Sequence, residues 1–397
     1  MLVPKLRFPD YSGDWKKSTI GESGEFYYGR SCPKWSVTND ATIPCIRYGE
    51  LYTKFENKID KVYSYTSIEP ANLRFSKGTE VLVPRVGEDP MDYTHCAWLS
   101  LPNVAIGEMI SVYNTDNNPL FTALMFNAKL RTEFAKRVEG GSVTNLYYEK
   151  LRNIVIYYPT DLEEQQKIAD FLSTVDEVIA QSEAEVQNLE QQKKAAMQKI
   201  FSQEVRFKRE DGTEYPAWEE KRLHQLVIPN DKIPVDTSKY RKITIGLRLK
   251  GVSFTETTRE MADKRPFYLR KEGEIIVGKQ NYFNGSIALI TKEFNNTICS
   301  NAIMSFMPND SVITLFLLSA ISNNKYLKER EYMANGTGQK ELSEKDFLNF
   351  SVSIPCLEEQ QKIADFLSAY DEAISYAKQE LEHWKQLKKG LLQQMFV

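Results

Sequence analysis

The chain has 397 residues, with 51 Lys+Arg against 54 Asp+Glu and a net charge of −3. That length suits two or three globular domains with cores of their own, at about 100–200 residues each. No apolar run approaches the ~18 residues that cross a bilayer, and the opening MLVPKLRFPD lacks the apolar core of a signal peptide, so the expectation is a cytoplasmic protein with no membrane partner.

Residues 1–15 contain LRFPDYSGDW, an Arg-Phe pair (Arg7-Phe8) followed by a polar turn and Trp15. From about Lys16 to Pro159 short β-branched and aromatic runs alternate with Gly, Pro and Asn, as at Thr42 to Arg47, Val81 to Val86 and Leu151 to Tyr158. This is a strand-and-turn pattern. One or two helices are predicted near Pro119 to Val138. Cys32, Cys45 and Cys96 fall in this region, and Cys299 and Cys356 later. Five scattered cysteines with no C-x-x-C argue against a disulfide framework or zinc site, and the three histidines have no metal-ligand spacing.

LEEQQKIADFLS then runs from Leu162 to Ser173, and again, letter for letter, from Leu357 to Ser368. At the same offset of 195 residues, Asp176-Glu177 matches Asp371-Glu372, Lys193-Lys194 matches Lys388-Lys389, and Phe201 matches Phe396. Such a period exceeds any solenoid repeat and marks a duplicated half-protein. Apolar residues follow at steps of four and three: Ile168, Leu172, Val175, Ile179, Val186, Leu189, Ile200, and in the second copy Ile363, Leu367, Tyr370, Ile374, Leu381, Trp384, Leu391, Met395. A 3.5-residue period predicts a coiled-coil seam on two long helices, interrupted by polar Ser182, Lys193 and Lys388. Each helix would pair with the other copy, giving pseudo-twofold symmetry.

Between the copies the plan of the first half returns in different letters. Arg206-Phe207 and Trp218 reopen it. Strand-like runs follow at Ile243 to Leu249, Glu274 to Val277 and Phe350 to Ile354, with one or two helices predicted near Ser311 to Tyr332. KGTEVLVPR (Lys77 to Arg85) parallels EGEIIVGK, and the loop from Gly141 parallels the one from Gly336. The two repeats carry 4 basic against 8 acidic residues (162–201) and 5 against 7 (357–397). The intervening regions are neutral (19 against 19 in 1–161) or slightly basic (23 against 20 in 202–356), which permits a basic face on each.

Catalytic motifs do not survive inspection. Pro9-Asp10 and Asp14-Trp15-Lys16 lie too close together for a carboxylate–lysine nuclease, Asp89-Pro90-Met91-Asp92-Tyr93 departs from an amino-methyltransferase loop, and Gly336 to Lys340 lacks the phosphate-loop spacing. What remains is binding chemistry. Arg and Lys can grip guanine and phosphate, and Asn and Gln can grip adenine. The candidates are Arg47, Lys77, Arg85, Ser142, Thr144 and Asn145 in the first region. In the second they are Arg248, Lys250, Lys279, Gln280, Asn281, Tyr282, Thr337, Gln339 and Lys340. Each is also what an ordinary solvated loop would carry.

The duplicated LEEQQKIADFLS with its Asp-Glu and Lys-Lys continuations, the Arg-Phe…Trp segment and the closing G-x-G-x-K-x-L…P resemble the specificity subunit of Type I restriction-modification systems. The closing loop of the first region departs from that pattern, reading GGSVTNLY. The resemblance implies an α+β fold with target recognition domains at 1–160 and 204–356, each reading half of a bipartite target on double-stranded DNA. It implies coiled-coil helices at 161–203 and 357–397 that form an antiparallel spacer and dock two DNA methyltransferase subunits. It also implies a non-catalytic chain whose partners, motor-nuclease subunits included, bring S-adenosylmethionine, ATP and Mg for adenine-N6 methylation and cleavage. The rival expectation is a scaffold with two ligand-binding domains on a coiled-coil spacer and no DNA.

Overall fold

The computed structural model describes residues 3–255, 265–331 and 341–397. Its two long helices are Leu162–Phe201 and Leu357–Met395. The chain divides into two compact units: residues 1–183 with 379–397, and residues 184–378. Neither unit stops where a long helix starts. Each takes in the first part of one long helix and the last part of the other.

In the first unit, strand Lys16–Thr19 pairs antiparallel with Val155–Tyr158, closing the recognition region at its base. A five-stranded sheet runs in the order Gly24–Tyr28, Ile110–Thr115, Glu80–Pro84, Ala97–Leu99, Lys58–Ile59. A four-stranded sheet runs Ser64–Thr66, Ile43–Ile46, Pro102–Ile106, Phe75–Lys77. The helical stretch holds two helices, Pro119–Lys129 and Arg131–Ala135, within the one or two expected there. Asn118 caps the first piece by accepting from the Phe121 amide at 2.9 Å, and Pro119 at the first helical position has no N–H to leave unpaired.

The second unit repeats the base, Glu219–Arg222 against Ser351–Ile354. Its sheet is smaller, in the order Val227–Pro229, Ile303–Pro308, Ile275–Gly278, Ile287–Leu289, with separate pairs Ile243–Ile245/Val252–Phe254 and Phe267–Arg270/Thr297–Ser300. Helices Thr314–Ser322 and Asn324–Glu331 fill the stretch where one or two were expected.

The seam residues are buried or half-buried throughout. In the first unit Ile168, Leu172 and Val175 share a core with Leu391, Met395 and Phe396. In the second, Ile200 shares one with Ile363, Ala364 and Leu367. The start of one helix thus packs on the end of the other, which is antiparallel pairing. The polar interruptions also resolve. Lys388 pairs with Asp176 in the first unit, and Lys193 with Asp371 at 2.5 Å in the second. Both lysines flank the seam and are answered by the repeated aspartates, so no bare charge enters the apolar contact.

The opening segments and the LEEQQ motifs form one device, present in each unit. Arg7 Nε donates to Glu164 at 2.7 Å and Arg206 to Glu359 at 2.6 Å. Trp15 and Trp218 donate their indole N–H to the same carboxylates at 3.4 and 3.2 Å. The carboxylates are 2% and 0% exposed, the guanidinium groups 13% and 24%. A carboxylate so buried is held by charged and neutral donors together. The hydrogen bond to the carboxylate raises the pKa of each arginine above its ordinary value. An aromatic triangle is repeated alongside. Trp15, Phe121 and Phe396 lie 5.4–6.5 Å apart, and Trp218, Phe316 and Phe201 5.8–6.4 Å apart.

Candidate nucleic-acid interface

In the first unit the expected residues converge on Arg85, just past strand Glu80–Pro84. Its guanidinium carbon sits 4.5 Å from the ring centre of Tyr28 and 5.3 Å from that of Tyr147. Its backbone carbonyl accepts from Leu146 at 2.8 Å, which ties the 141–147 loop to the strand end. Two rings thus hold the cation in place, while its hydrogen bond to the Glu108 carbonyl is long at 3.5 Å. A stacked arginine of this kind keeps a planar donor fork for a phosphate or a guanine edge. Tyr28 in turn donates to Glu149 at 3.0 Å. Burial and that hydrogen bond push its phenol up to about 12, so it stays a neutral donor. Asn145 is half-buried in a short strand opposite Val86 and Glu139, while Ser142 is exposed at the loop tip.

Thr144 is a correction. It is buried, and its hydroxyl is spent on the Gly87 carbonyl at 2.9 Å and on the Tyr93 phenol, so it fastens the loop rather than facing a ligand. Arg47 and Lys77 belong to the four-stranded sheet instead. Arg47 follows strand Ile43–Ile46, half-buried, with Nε on the Cys32 carbonyl at 3.3 Å. Lys77 is exposed in a turn whose amides converge on buried Glu80. Near that sheet stand aromatic groups that the sequence pattern does not single out: Tyr63, half exposed between Lys54 and Lys61, and Trp35, 72% exposed. Isolated aromatics among lysines carry no spacing signal, and only their exposure marks them.

In the second unit the turn Tyr282–Asn284 after strand Ile275–Gly278 organises the site. The tip of the Ile243–Ile245/Val252–Phe254 hairpin docks on it: Arg248 N–H donates to the Asn284 carbonyl at 2.8 Å and Leu249 N–H to Gly285 at 3.0 Å. To do so Arg248 and Leu249 both adopt left-handed backbone (φ 57° and 59°). Side chains rarely take that conformation, so the docking contacts must hold it. Gly285 permits the approach. Its φ is +76°, and a Cβ there would stand 3.0 Å from the Leu249 nitrogen. The exposed side chains of Arg248, Lys250 and Gln280 and the half-buried Asn281 are brought together on this turn.

Tyr282 is the second correction. It is fully buried, donates to the Ile321 carbonyl at 2.7 Å and packs on Phe347 and Phe350. Burial raises its phenol well above the ordinary value. It anchors the turn from inside. Lys279 accepts on its carbonyl from Leu342 at 2.8 Å, which places the end of the glycine loop beside this turn. Thr337, Gln339 and Lys340 themselves lie outside the described residues. Arg241, over the Phe254 ring at 3.4 Å, and Lys242, over Phe267 at 4.7 Å, add cations on the hairpin that loop composition does not select.

Among the described residues no cluster of His, Cys, Asp and Glu could hold a metal ion, and no helix is long and apolar enough to cross a membrane. All five cysteines are free thiols, four of them buried.

A family model described as the type I restriction modification DNA specificity domain matches residues 100–191 and 198–385. The chain is 26% identical over 294 residues to the type I restriction enzyme MjaVIII specificity subunit of Methanocaldococcus jannaschii, covering 68% of each. It is 25% identical over 407 residues to the MjaIX specificity subunit of the same organism, covering 96% of this chain and 92% of that one. In fold it is similar to the S subunit of a Type-I restriction-modification system from M. genitalium, with a TM-score of 0.62, 16% identity and coverage of 100% and 99%. A chain from a study of complex assembly and conformational transition of the type I R-M system is similar at a TM-score of 0.55, with 16% identity and coverage of 97% and 98%.

Proposed function

This chain belongs to the type I restriction-modification DNA specificity family, and from that premise we propose that each of its recognition regions reads one half of a bipartite target on double-stranded DNA. One observation carries the reading: the same base, Arg–Glu–Trp lock and aromatic triangle recur in both units, while the basic, polar loops above them differ completely. A duplicated holder with two unlike readers fits a target whose halves differ in sequence. Arg85 with Asn145 and Ser142 serves the first half. Arg248, Lys250, Lys279, Gln280 and Asn281 serve the second, joined by Thr337, Gln339 and Lys340.

The long helices set the gap between half-sites and dock two methyltransferase subunits, with motor-nuclease subunits joining for cleavage. The chain itself is a non-catalytic reader. S-adenosylmethionine, ATP and Mg belong to those partners, which methylate adenine N6, and the complex works where the host DNA is.

The test is methylome sequencing of cells that express the chain with its methyltransferase, beside gel shifts of the complex. A bipartite adenine motif is expected, and replacing residues 16–159 by the equivalent region of a relative should change one half of it and leave the other. An unchanged motif would sink the reading. Retained binding after Arg85→Ala with Lys279→Ala would favour the scaffold alternative.

A further inference from the structure

Four ion pairs join the long helices: Asp176–Lys388 and Glu183–Lys385 in the first unit, Glu190–Lys378 and Lys193–Asp371 in the second. The 195-residue duplication sorts them into two kinds. The outer pairs are copies of each other, because Asp176 corresponds to Asp371 and Lys193 to Lys388. The inner pairs are not. Glu183 corresponds to Lys378, and Glu190 to Lys385. Across the duplication those two positions have exchanged sign, and each pair still closes at 2.6 Å.

The exchange has a consequence for partner choice. Laid antiparallel on a copy of itself, the first helix would keep Asp176 opposite Lys193 but set Glu183 against Glu190, twice. The second helix on its own copy would set Lys378 against Lys385, twice. Only the first helix against the second satisfies all four pairs. We propose that Glu183, Glu190, Lys378 and Lys385 are a selectivity code by which the two long helices choose each other and refuse a second copy of themselves. Flanking charges set partner choice in coiled coils in this way, with like charges opposing association about as strongly as unlike charges favour it. Three seam positions do not distinguish the helices, since Ile168, Leu172 and Ile179 recur as Ile363, Leu367 and Ile374, whereas Val175 and Leu189 correspond to the larger Tyr370 and Trp384. A duplicated chain has use for such a device, because its two helices are identical at 21 of 40 aligned positions and each could otherwise take a second copy of itself as partner. The inference stands apart from DNA reading and fails or holds without it.

The test refolds the full-length chain from denaturant, so that the helices choose partners anew, and measures dimer fraction by analytical ultracentrifugation. E183K/K378E leaves the composition unchanged, makes both inner pairs repulsive within a chain, and makes them attractive between like helices of two chains. Its dimer fraction should rise on the order of tenfold over the parent chain. The rise should vanish at about 1 M salt, where the screening length is only about 3 Å. E190K/K385E inverts the code by the other route and must behave alike, which covers a folding failure of either variant. E183K/E190K makes the inner pairs repulsive within the chain and between like first helices as well, and should fall well below both. Dimer fractions equal to the parent in both inverted variants would overturn the proposal. So would E183K/E190K matching them, because loss of stability alone would then account for the effect.

Discussion

The two units invite comparison because half of each is the same object and half is not. At the base, Arg7, Trp15, Glu164 and Phe396 have one-to-one counterparts in Arg206, Trp218, Glu359 and Phe201. Above it, the first unit has a five-stranded and a four-stranded sheet where the second has one four-stranded sheet and two separate strand pairs. Duplicated sequence stays fixed where a buried charge must be answered, and it drifts where side chains end in loops. The energetics give the reason: losing one partner of a buried ion pair costs several kcal/mol, whereas a solvated loop residue costs little.

That comparison can be broken at the base first. Glu164→Ala and Glu359→Ala should each destabilise by about 3–5 kcal/mol by stranding a buried arginine, read as a lowered unfolding transition in calorimetry. The first should cost more, since Arg7 is the more buried arginine (13% against 24% exposed). Phe396→Ala should cost about 3 kcal/mol or more in the same measurement. Phe201→Ala should cost less, because Phe201 is only half-buried while Phe396 is 2% exposed. Equal losses at the two phenylalanines would show that the units are closer in energy than in burial.

Above the base the comparison is sharpened by affinity. Arg85→Ala should weaken binding of the methyltransferase complex by about 1–3 kcal/mol, concentrated on one half-site. Lys279→Ala, if it meets phosphate, should weaken binding evenly across sequences and lower the salt slope by about one. Competition gel shifts at several salt concentrations separate the two. The smallest effect is expected at Asn57, which donates to Asp176 at 3.0 Å and so ties the first recognition region to its long helix. Asn57→Ala should cost about 1 kcal/mol, seen as a small shift of the first unit's transition.

Much of the frame is legible in the letters. The 195-residue repeat and its 3.5-residue period imply two long helices that pair with each other, because a seam must be buried and each copy is the other's nearest match; the antiparallel direction comes with the resemblance. Glu164 and Glu359 are visible only as repeated letters. Their partners Arg7 and Arg206 lie more than 150 residues away, and nothing local says that a helix-opening glutamate will be sealed from water. The sites are less legible still. Tyr282 reads as a loop tyrosine beside Lys279 and Gln280, yet its ring closes the core, since a one-residue step in a turn reverses which way a side chain points. Thr144 misleads in the same way. Arg85 stands out as a cation at a strand end, but Tyr28 and Tyr147, which hold it, come from distant stretches of chain.

One detail of the repeat bears on how such proteins change. Gln165 donates its amide to the Pro159 carbonyl at 2.7 Å and accepts from the Asn118 amide at 2.7 Å. Gln360 does the same with Pro355 and Ile313, at 2.9 Å each. Both glutamines are sealed from water and grip main-chain atoms in these contacts, and among the described residues Gln165 alone adds a side-chain partner, donating to the Asn117 side-chain carbonyl oxygen at 2.8 Å. They work as a standard plug. An inserted reader that ends in a strand with a free carbonyl and starts one helix with a free N–H meets the main-chain half of the fitting, and in the first copy an acceptor in the place of Asn117 completes it. Recombination between relatives within the Leu-Glu-Glu-Gln-Gln codons would therefore exchange readers whole, with the fitting intact on both sides of the cut.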